Sequence, residues 1–144
     1  MLDHEKFIRK VYTYVEGKGI DTQKFVSMFS DEGYMLDMAS GTKFRGKAIG
    51  DSIAALARAF PDLHRELLKI YVAENVVVAE IALWGTHKGE LALVSGTLAP
   101  TGKTIDVPMC DVYHLEGGKI ISFHCYNLPS VMLQQLGEKN MRLS

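Results

Sequence analysis

The sequence predicts an α+β fold, in which a curved antiparallel sheet wraps over a layer of helices and forms a cone. Three amphipathic helical segments come first, strand-like segments with short turns follow, and a helix that starts with proline ends the pattern. A chain of 144 residues that is 47% hydrophobic is long enough for one sizeable core and too short for two ordinary domains. We therefore expect residues 1–144 to form a single domain, with the helices against one sheet face.

Helical periodicity marks the first part of the chain. Apolar residues repeat at helical spacing over residues 7–15, and Asp21 is placed to cap a short second helix that extends to Phe29. A third helix carries its apolar residues over 49–60. Pro61 ends that helix, because residues that precede proline avoid helical backbone angles.

Strand patterns dominate the rest. A short strand is predicted over 33–38, and a loop bracketed by glycines over 41–46. Pro129 fits the first turn of a last helix that Gly137 closes, and residues 138–144 read as a polar tail. Five longer segments are predicted as strands of one antiparallel meander: 63–73, 76–87, 90–98, 104–115 and 119–127.

Charge and motif content exclude several functions. The formal charge of −1 comes from 16 basic and 17 acidic residues without a run of one sign, so nucleic acid and membrane surfaces are poor partners. The N-terminal residues lack signal-peptide features and no apolar stretch is long enough to span a bilayer, which predicts a cytoplasmic protein. The five histidines and two cysteines show no metal-site or redox spacing, so no metal is expected.

The stretch PMCDVYHLEGGKIISFHCYN, residues 108–127, is typical of a hairpin. A two-residue turn at Gly117 and Gly118 sets Asp111 opposite His124, at a position where facing side chains approach closely. This pair is our candidate for acid/base catalysis, and a purely structural ion pair is the alternative. In this register one face carries apolar and aromatic residues around the pair, as a ligand pocket would: Val107, Met109, Asp111, Tyr113, Ser122, His124, Tyr126 and Leu128.

The opposite face of the same hairpin is too apolar to be left in water, which favours a homodimer formed through the outer sheet face. In the predicted register Cys110 and Cys125 oppose each other within disulfide reach, although a reducing cytoplasm favours free thiols. The residues assigned to this face are Cys110, Val112, His114, Ile121, Phe123 and Cys125.

Five motifs cover nearly the whole chain: AFPDLH (59–64), WGTHKGEL (84–91), PTGKTI (100–105), GGKIISFHCYN (117–127) and QQLG (134–137). In order and spacing they resemble the SnoaL-like polyketide cyclases, a family of the nuclear transport factor 2-like superfamily that includes ketosteroid isomerases. The resemblance implies a cone-shaped barrel, an apolar pocket, no metal or organic cofactor, and a homodimer or higher oligomer. It does not imply one reaction, since this fold hosts cyclases, isomerases, epoxide hydrolases and non-catalytic binders.

Two function classes follow from the resemblance and the candidate pair. The first is cofactor-free acid/base catalysis on a small apolar carbonyl compound, either an aldol cyclisation or a double-bond isomerisation; an epoxide hydrolase is a weaker variant. The second is a dimeric binder of a small apolar ligand. One departure separates this chain from the family pattern, because Leu128 stands where the family commonly has an aspartate.

Further residues are predicted around the pocket. Tyr14 would reach the cavity mouth from the first helix, and His64 would border the pocket unless it belongs to a polar cluster at the strand entry. Asp37 lies on an early strand where the superfamily isomerases place a base, and His87 reads as a surface residue. Five more side chains are expected on the cavity wall: Phe29, Phe60, Trp84, Met109 and Tyr126.

Overall fold

The computed structural model describes residues 3–93 and 95–137 and has the predicted α+β architecture. Its helices are α1 (His4–Thr13), α2 (Thr22–Ser27), α3 (Lys47–Ala59) and α4 (Pro129–Gln135). Its strands are β1 (Phe29–Asp37), β2 (Thr42–Arg45), β3 (His64–Ala73), β4 (Val76–Thr86), β5 (Leu91–Leu93), β6 (Gly96–Leu98), β7 (Thr104–Glu116) and β8 (Lys119–Tyr126). The predicted polar tail over 138–144 lies outside the described residues.

Local signals in the sequence place the helices close to the predicted positions, although α2 ends at Ser27 and Phe29, predicted in this helix, begins β1. The Asp21 side chain caps α2 by accepting a hydrogen bond from the Lys24 N–H at 3.0 Å. Pro129 occupies the first turn of α4, where its missing N–H costs nothing. Helix α1 buries Ile8, Val11 and Tyr12 on one face, which turns this face towards the sheet.

Six strands form one curved sheet in the order β2-β1-β8-β7-β4-β3. All neighbours are antiparallel except β1 and β8, which run parallel. The sequence did not predict this pairing, because β1 reaches β8 across most of the chain. The predicted loop over 41–46 contains β2, whose four residues are too few for a clear alternation of apolar and polar side chains.

The segment predicted as one strand over 90–98 is instead a separate two-stranded unit. Strand β5 pairs with β6 in an antiparallel register that sets Leu91 opposite Leu98. Gly96 has a φ of 136°, a backbone conformation open to glycine that a continuous strand of ordinary residues would not contain. These two strands therefore leave the main sheet.

A β-bulge at Ile121 corrects the predicted register of the last hairpin. Gly117 and Gly118 form the expected turn, with φ angles of 58° and 78°. Leu115 pairs with Ile120, but His114 then pairs with Ser122, so every later residue of β8 turns to the face opposite the predicted one.

The bulge changes which residues face each other across the hairpin. Asp111 lies opposite Cys125, and His124 lies opposite Val112, so the predicted Asp111–His124 pair is wrong. Cys110 lies opposite Tyr126 rather than opposite Cys125, so the predicted proximity of the two thiols is wrong as well.

Hydrophobic burial explains why the bulge forms. Phe123 is 5% exposed and stacks on Tyr113, with ring centroids 4.5 Å apart. A hairpin without the bulge would place Ser122 and His124 in the core and Phe123 outside. Burying a phenylalanine side chain contributes roughly 1.5–3 kcal/mol, which favours the bulged register.

Two apolar clusters lie between the concave sheet face and the helices. One contains Tyr12, Phe25 and Phe123, and the other contains Phe60 and Ile105. No helix of the described residues is long and apolar enough to cross a membrane.

The structure also corrects the predicted exposure of His87, which packs against Phe60 of the second cluster. The His87 side chain is fully buried, and its ring lies against the Phe60 ring with 5.4 Å between the centroids. Its Nδ1 accepts a hydrogen bond from the Thr101 N–H at 3.1 Å. The sequence motif around His87 is polar and glycine-containing, which predicted a surface turn. His87 therefore belongs to the packing of this end of the molecule.

Candidate functional site

A cavity of about 510 Å³ lies between the concave sheet face and the helices. Helices α1 and α3, the sheet, β5 and α4 all contribute to its wall. Most of the lining is apolar, as in small-molecule sites generally. The polar or ionisable side chains on its wall are Tyr12, Asp37, Ser52, Arg65, Asp111, Tyr113, Cys125 and Asn127.

Asp111 is the central polar residue of this cavity. It lies on β7, and its side chain is fully buried. Its Oδ2 accepts a hydrogen bond of 2.5 Å from the Tyr12 hydroxyl, which in turn accepts one of 2.8 Å from the Tyr113 hydroxyl. Its Oδ1 has no hydrogen-bond partner among the described residues. One carboxyl oxygen is thus held by a hydrogen bond, and the other is buried without one.

Burial dominates the electrostatics of this carboxyl group. It raises the pKa of Asp111 to about 6, although the Tyr12 hydrogen bond, the Arg65 charge and the Cys125 thiol act in the opposite direction. Burial and the Asp111 charge raise the pKa of Tyr12 and of Tyr113 well above the usual tyrosine value. Both tyrosines therefore stay protonated and act as hydrogen-bond donors.

Three neighbouring strands bring a second carboxyl group to the same row of the sheet. Asp37 of β1 pairs with Cys125 of β8, and Cys125 pairs with Asp111 of β7. The Asp37 Oδ1 accepts hydrogen bonds from the Asn127 Nδ2 at 2.9 Å and from the Ala39 N–H at 3.1 Å. The row thus carries two carboxyl groups with a thiol between them.

The thiol between the two carboxyl groups is not a nucleophile. Burial raises the pKa of Cys125 strongly, and the charge of Asp111 adds to this effect. Cysteine reacts as the thiolate, and a raised pKa keeps Cys125 in the unreactive thiol form.

Arg65 of β3 supplies the positive charge of the cavity wall. It is 7% exposed, and its Nη1 donates a hydrogen bond of 2.8 Å to the Val15 carbonyl oxygen beyond the end of α1. No local pattern singled out Arg65, since an arginine between polar strand residues is usually solvated. The inward face of β3 became identifiable only from its pairing with β4.

Several residues predicted at the site lie on the convex face instead. His124 is outside the cavity, where its Nε2 lies 3.0 Å from the Tyr34 hydroxyl. Trp84 and Tyr126 are 42% and 45% exposed, so the prediction that they line the cavity is wrong. The bulge reverses the faces of His124 and Tyr126, and Trp84 follows the outward alternation of β4.

Three other predicted lining residues are core residues rather than wall residues. Phe29 packs on Phe25 in the first cluster, and Phe60 packs on His87 in the second. Tyr14 packs against the first cluster without lining the cavity.

His64 also lies away from the cavity. Its Nδ1 lies 2.9 Å from both carboxylate oxygens of Glu16, and half of its side chain is exposed. This contact fits the alternative of a polar cluster at the strand entry. Met109 and Asp111 line the cavity as predicted.

Sequence reasoning missed Tyr12 and Asn127, and it left Asp37 without a secure place in the site. Tyr12 was identified as an apolar helix residue, although a tyrosine on a buried helix face needs a partner for its hydroxyl and thus signals a polar group nearby.

The described residues contain no cluster of three or more metal-ligating side chains.

The family model for SnoaL-like polyketide cyclases matches residues 8–135. This chain belongs to that family. The match spans α1 to α4 and includes every polar residue of the cavity wall. No curated protein matches the sequence.

Solved structures share the fold of this SnoaL-like protein at low sequence identity. A protein from Jannaschia sp., described as a SnoaL-like polyketide cyclase, has a TM-score of 0.80 and 16% identity over 94% of this chain and 92% of that one. A protein from Streptomyces antibioticus, described as a polyketide cyclase, has a TM-score of 0.77 and 17% identity over 94% and 99%. A protein from Catenulispora acidiphila with a ketosteroid isomerase-like fold, solved with trimethylamine, has a TM-score of 0.77 and 21% identity over 93% and 94%.

Proposed function

We propose that this SnoaL-like protein is a cofactor-free enzyme that removes a proton from the carbon beside a carbonyl group in a small, largely apolar compound. Such a step begins both an intramolecular aldol cyclisation and a double-bond isomerisation. The observation that supports it is the Asp111 carboxyl group, which is buried on the wall of an apolar cavity with its Oδ1 unpartnered among the described residues.

Asp111 has the properties of a general base. A base works best when its pKa lies near the working pH, and burial raises the pKa of Asp111 to about 6. The Tyr12 hydroxyl holds Oδ2, so the carboxyl plane is fixed and Oδ1 keeps a lone pair for the substrate proton. The tyrosine pair is therefore a positioning device, and Asp111 is the group that takes the proton.

The surrounding cavity supports the same chemistry. Its apolar wall desolvates a bound carbonyl compound, which strengthens every electrostatic interaction with the acidic carbon. The proton that Asp111 takes can return to another atom of the same substrate, because no bulk water is needed to carry it. The overall reaction is then a rearrangement or ring closure with no net gain of atoms.

An exchange experiment tests the base. β-Tetralone, an apolar ketone with acidic protons, is incubated in deuterated buffer at neutral pH, and loss of its α-proton signal is followed by NMR. Asp111→Asn should lower the enzyme-dependent rate by about a hundredfold or more, the usual worth of a positioned acid/base group. Asp37→Asn is the matched control, since it makes the same chemical change on the same row and should leave the rate within about threefold of wild type.

The two variants distinguish the alternatives. A loss with Asp37→Asn and none with Asp111→Asn would assign the base to Asp37. Folded variants that both keep the wild-type rate would reject both aspartates as the base. A wild-type protein that binds the ketone without exchange would favour a non-catalytic binding protein. Epoxide hydrolysis needs an acid and a base together. An assay of styrene oxide hydrolysis tests this alternative, and loss of that activity in both variants would support it.

A further inference from the structure

Arg65 is a buried cation on the wall of the cavity. It is the one lysine or arginine among the lining residues that the structure describes, and it lies on β3 opposite Leu83 of β4. A guanidinium group has five N–H donors in a fixed planar fork. One of its nitrogens donates to the Val15 carbonyl oxygen, and this is the one hydrogen bond found for Arg65 within residues 3–93 and 95–137.

The charge of Arg65 lacks a paired anion. The ion pairs found in the described part of the chain join Arg9 to Glu5, Lys47 to Asp51 and His64 to Glu16. Buried arginines are rare in folded proteins unless they are paired with an anion. The carboxyl group of Asp111 feels the Arg65 charge, yet its hydrogen bond goes to Tyr12.

We propose that Arg65 binds a carboxylate carried by the substrate, so that the enzyme acts on carbonyl compounds that bear an anionic group. This inference rests on the proposed function, because it concerns the same cavity. A carboxylate matches the guanidinium fork with two parallel hydrogen bonds, and no side chain of the described residues supplies Arg65 with such a hydrogen-bonded anion. The substrate is then an oxo acid with an apolar body.

The strand register indicates where the two ends of such a substrate lie. Arg65 pairs with Leu83, which pairs with Val107, and Asp111 lies four residues further along β7. Met109 lies between these two levels on the same inward face and lines the cavity. The carboxylate and the acidic carbon of the substrate therefore occupy separate parts of the cavity, with the apolar body over Met109.

A pair of ligands with one difference tests this assignment by equilibrium binding. Naphthoate and naphthamide have the same apolar body, and only naphthoate is charged at neutral pH. Wild-type protein should bind naphthoate at least about tenfold more tightly in calorimetry, equivalent to about 1.4 kcal/mol. Arg65→Met should abolish this preference and leave naphthamide affinity unchanged. Arg45→Met is the matched control, because Arg45 is exposed on β2 and its loss should keep the preference.

Several results would overturn the proposal. Equal affinity for both ligands in the wild type, binding of neither at millimolar concentration, or a preference that survives in Arg65→Met each contradict it. Should Arg65→Met fail to fold, a crystal structure of the wild type with naphthoate replaces the variant. A carboxylate bound to the Arg65 guanidinium would support the proposal, and a carboxylate bound elsewhere would contradict it. Since binding is measured without turnover, a failure here is distinct from a failure of Asp111 as the base.

Discussion

Asp111 accepts a structural hydrogen bond from Tyr12 and also has a raised pKa. Its protonated form suits a buried site, while its ionised form pays a desolvation penalty that Tyr12 and Arg65 only partly offset. The protein keeps this aspartate although a neutral residue of the same shape would be more stable above neutral pH. Such a stability cost is typical of catalytic groups.

Replacing Asp111 with asparagine should change how stability depends on pH. The folded-state pKa of about 6 lies above the ordinary aspartate value of 3.8, so the stability that this group contributes is complete below the unfolded-state pKa and is lost as pH rises through about 6. Relative to Asp111→Asn, the wild type should lose about 3 kcal/mol of unfolding free energy between about pH 3 and about pH 7.5. Urea unfolding across this pH range measures the difference, and parallel curves for the two proteins would contradict the raised pKa.

Replacing Tyr12 with phenylalanine tests the hydrogen bond itself. The Tyr12 hydroxyl stabilises the ionised carboxylate, so its removal should raise the pKa of Asp111 further. The titration of the Asp111 carboxyl carbon in NMR spectra reports the change. Tyr34→Phe is a matched control, because Tyr34 bonds His124 on the convex face, and this variant should leave the Asp111 titration unchanged.

The bulge in β8 decides which residues of the last hairpin face the cavity. The turn, the strand lengths and the inward face of β7 follow from local patterns. A single extra residue at Ile121 then exchanges the two faces of β8, so that Phe123 and Cys125 point inward and His124 points outward. The bulge thus sets Asp111 opposite Cys125 instead of opposite His124.

Alanine substitutions on the two faces of β8 test this register. Phe123→Ala should reduce the unfolding free energy by about 3–5 kcal/mol, because it removes a buried ring that stacks on Tyr113. His124→Ala should cost about 1 kcal/mol, since it removes one part-buried hydrogen bond to Tyr34. Chemical unfolding of both variants gives the comparison, and a larger cost for His124→Ala would favour the hairpin without a bulge.

The convex face of the sheet is the surface through which we propose that two copies pair. Its exposed aromatic residues are Trp84 on β4 and Tyr126 on β8. The half-buried side chains of Val78 on β4 and Val112 on β7 lie on the same face. Exposed apolar area on a sheet face commonly marks an interface. The sequence predicted this interface around Phe123, which the structure places in the core, so the dimer itself stays a prediction with different contact residues.

A charged substitution on the convex face should weaken the dimer. Trp84→Asp places a carboxylate in the proposed interface, so the equilibrium should shift towards monomers by at least about tenfold. Sedimentation equilibrium at micromolar concentration measures the shift. Gln23→Asp, on the exposed side of α2, is the control and should leave it unchanged. A monomeric wild type at this concentration would end the proposal.

Most elements of this protein could be predicted from the sequence, because the signals are local. The Asp21 cap, the stop at Pro61 and the glycine pair at 117–118 each act within a few residues, and the structure confirms all three. The family motifs likewise identified the fold. Alternation along β7 correctly placed Met109 and Asp111 on the inward face.

The composition of the site was decided by tertiary structure. Tyr12 and Asp111 are 99 residues apart in sequence, and no local pattern reports that a helix face will place a hydroxyl on that carboxyl group. The strand period is two residues, so the one-residue bulge at Ile121 was enough to move His124 out of the site and Cys125 into it. The sequence determined that a cavity with a buried aspartate would form, and packing between distant elements determined its neighbours.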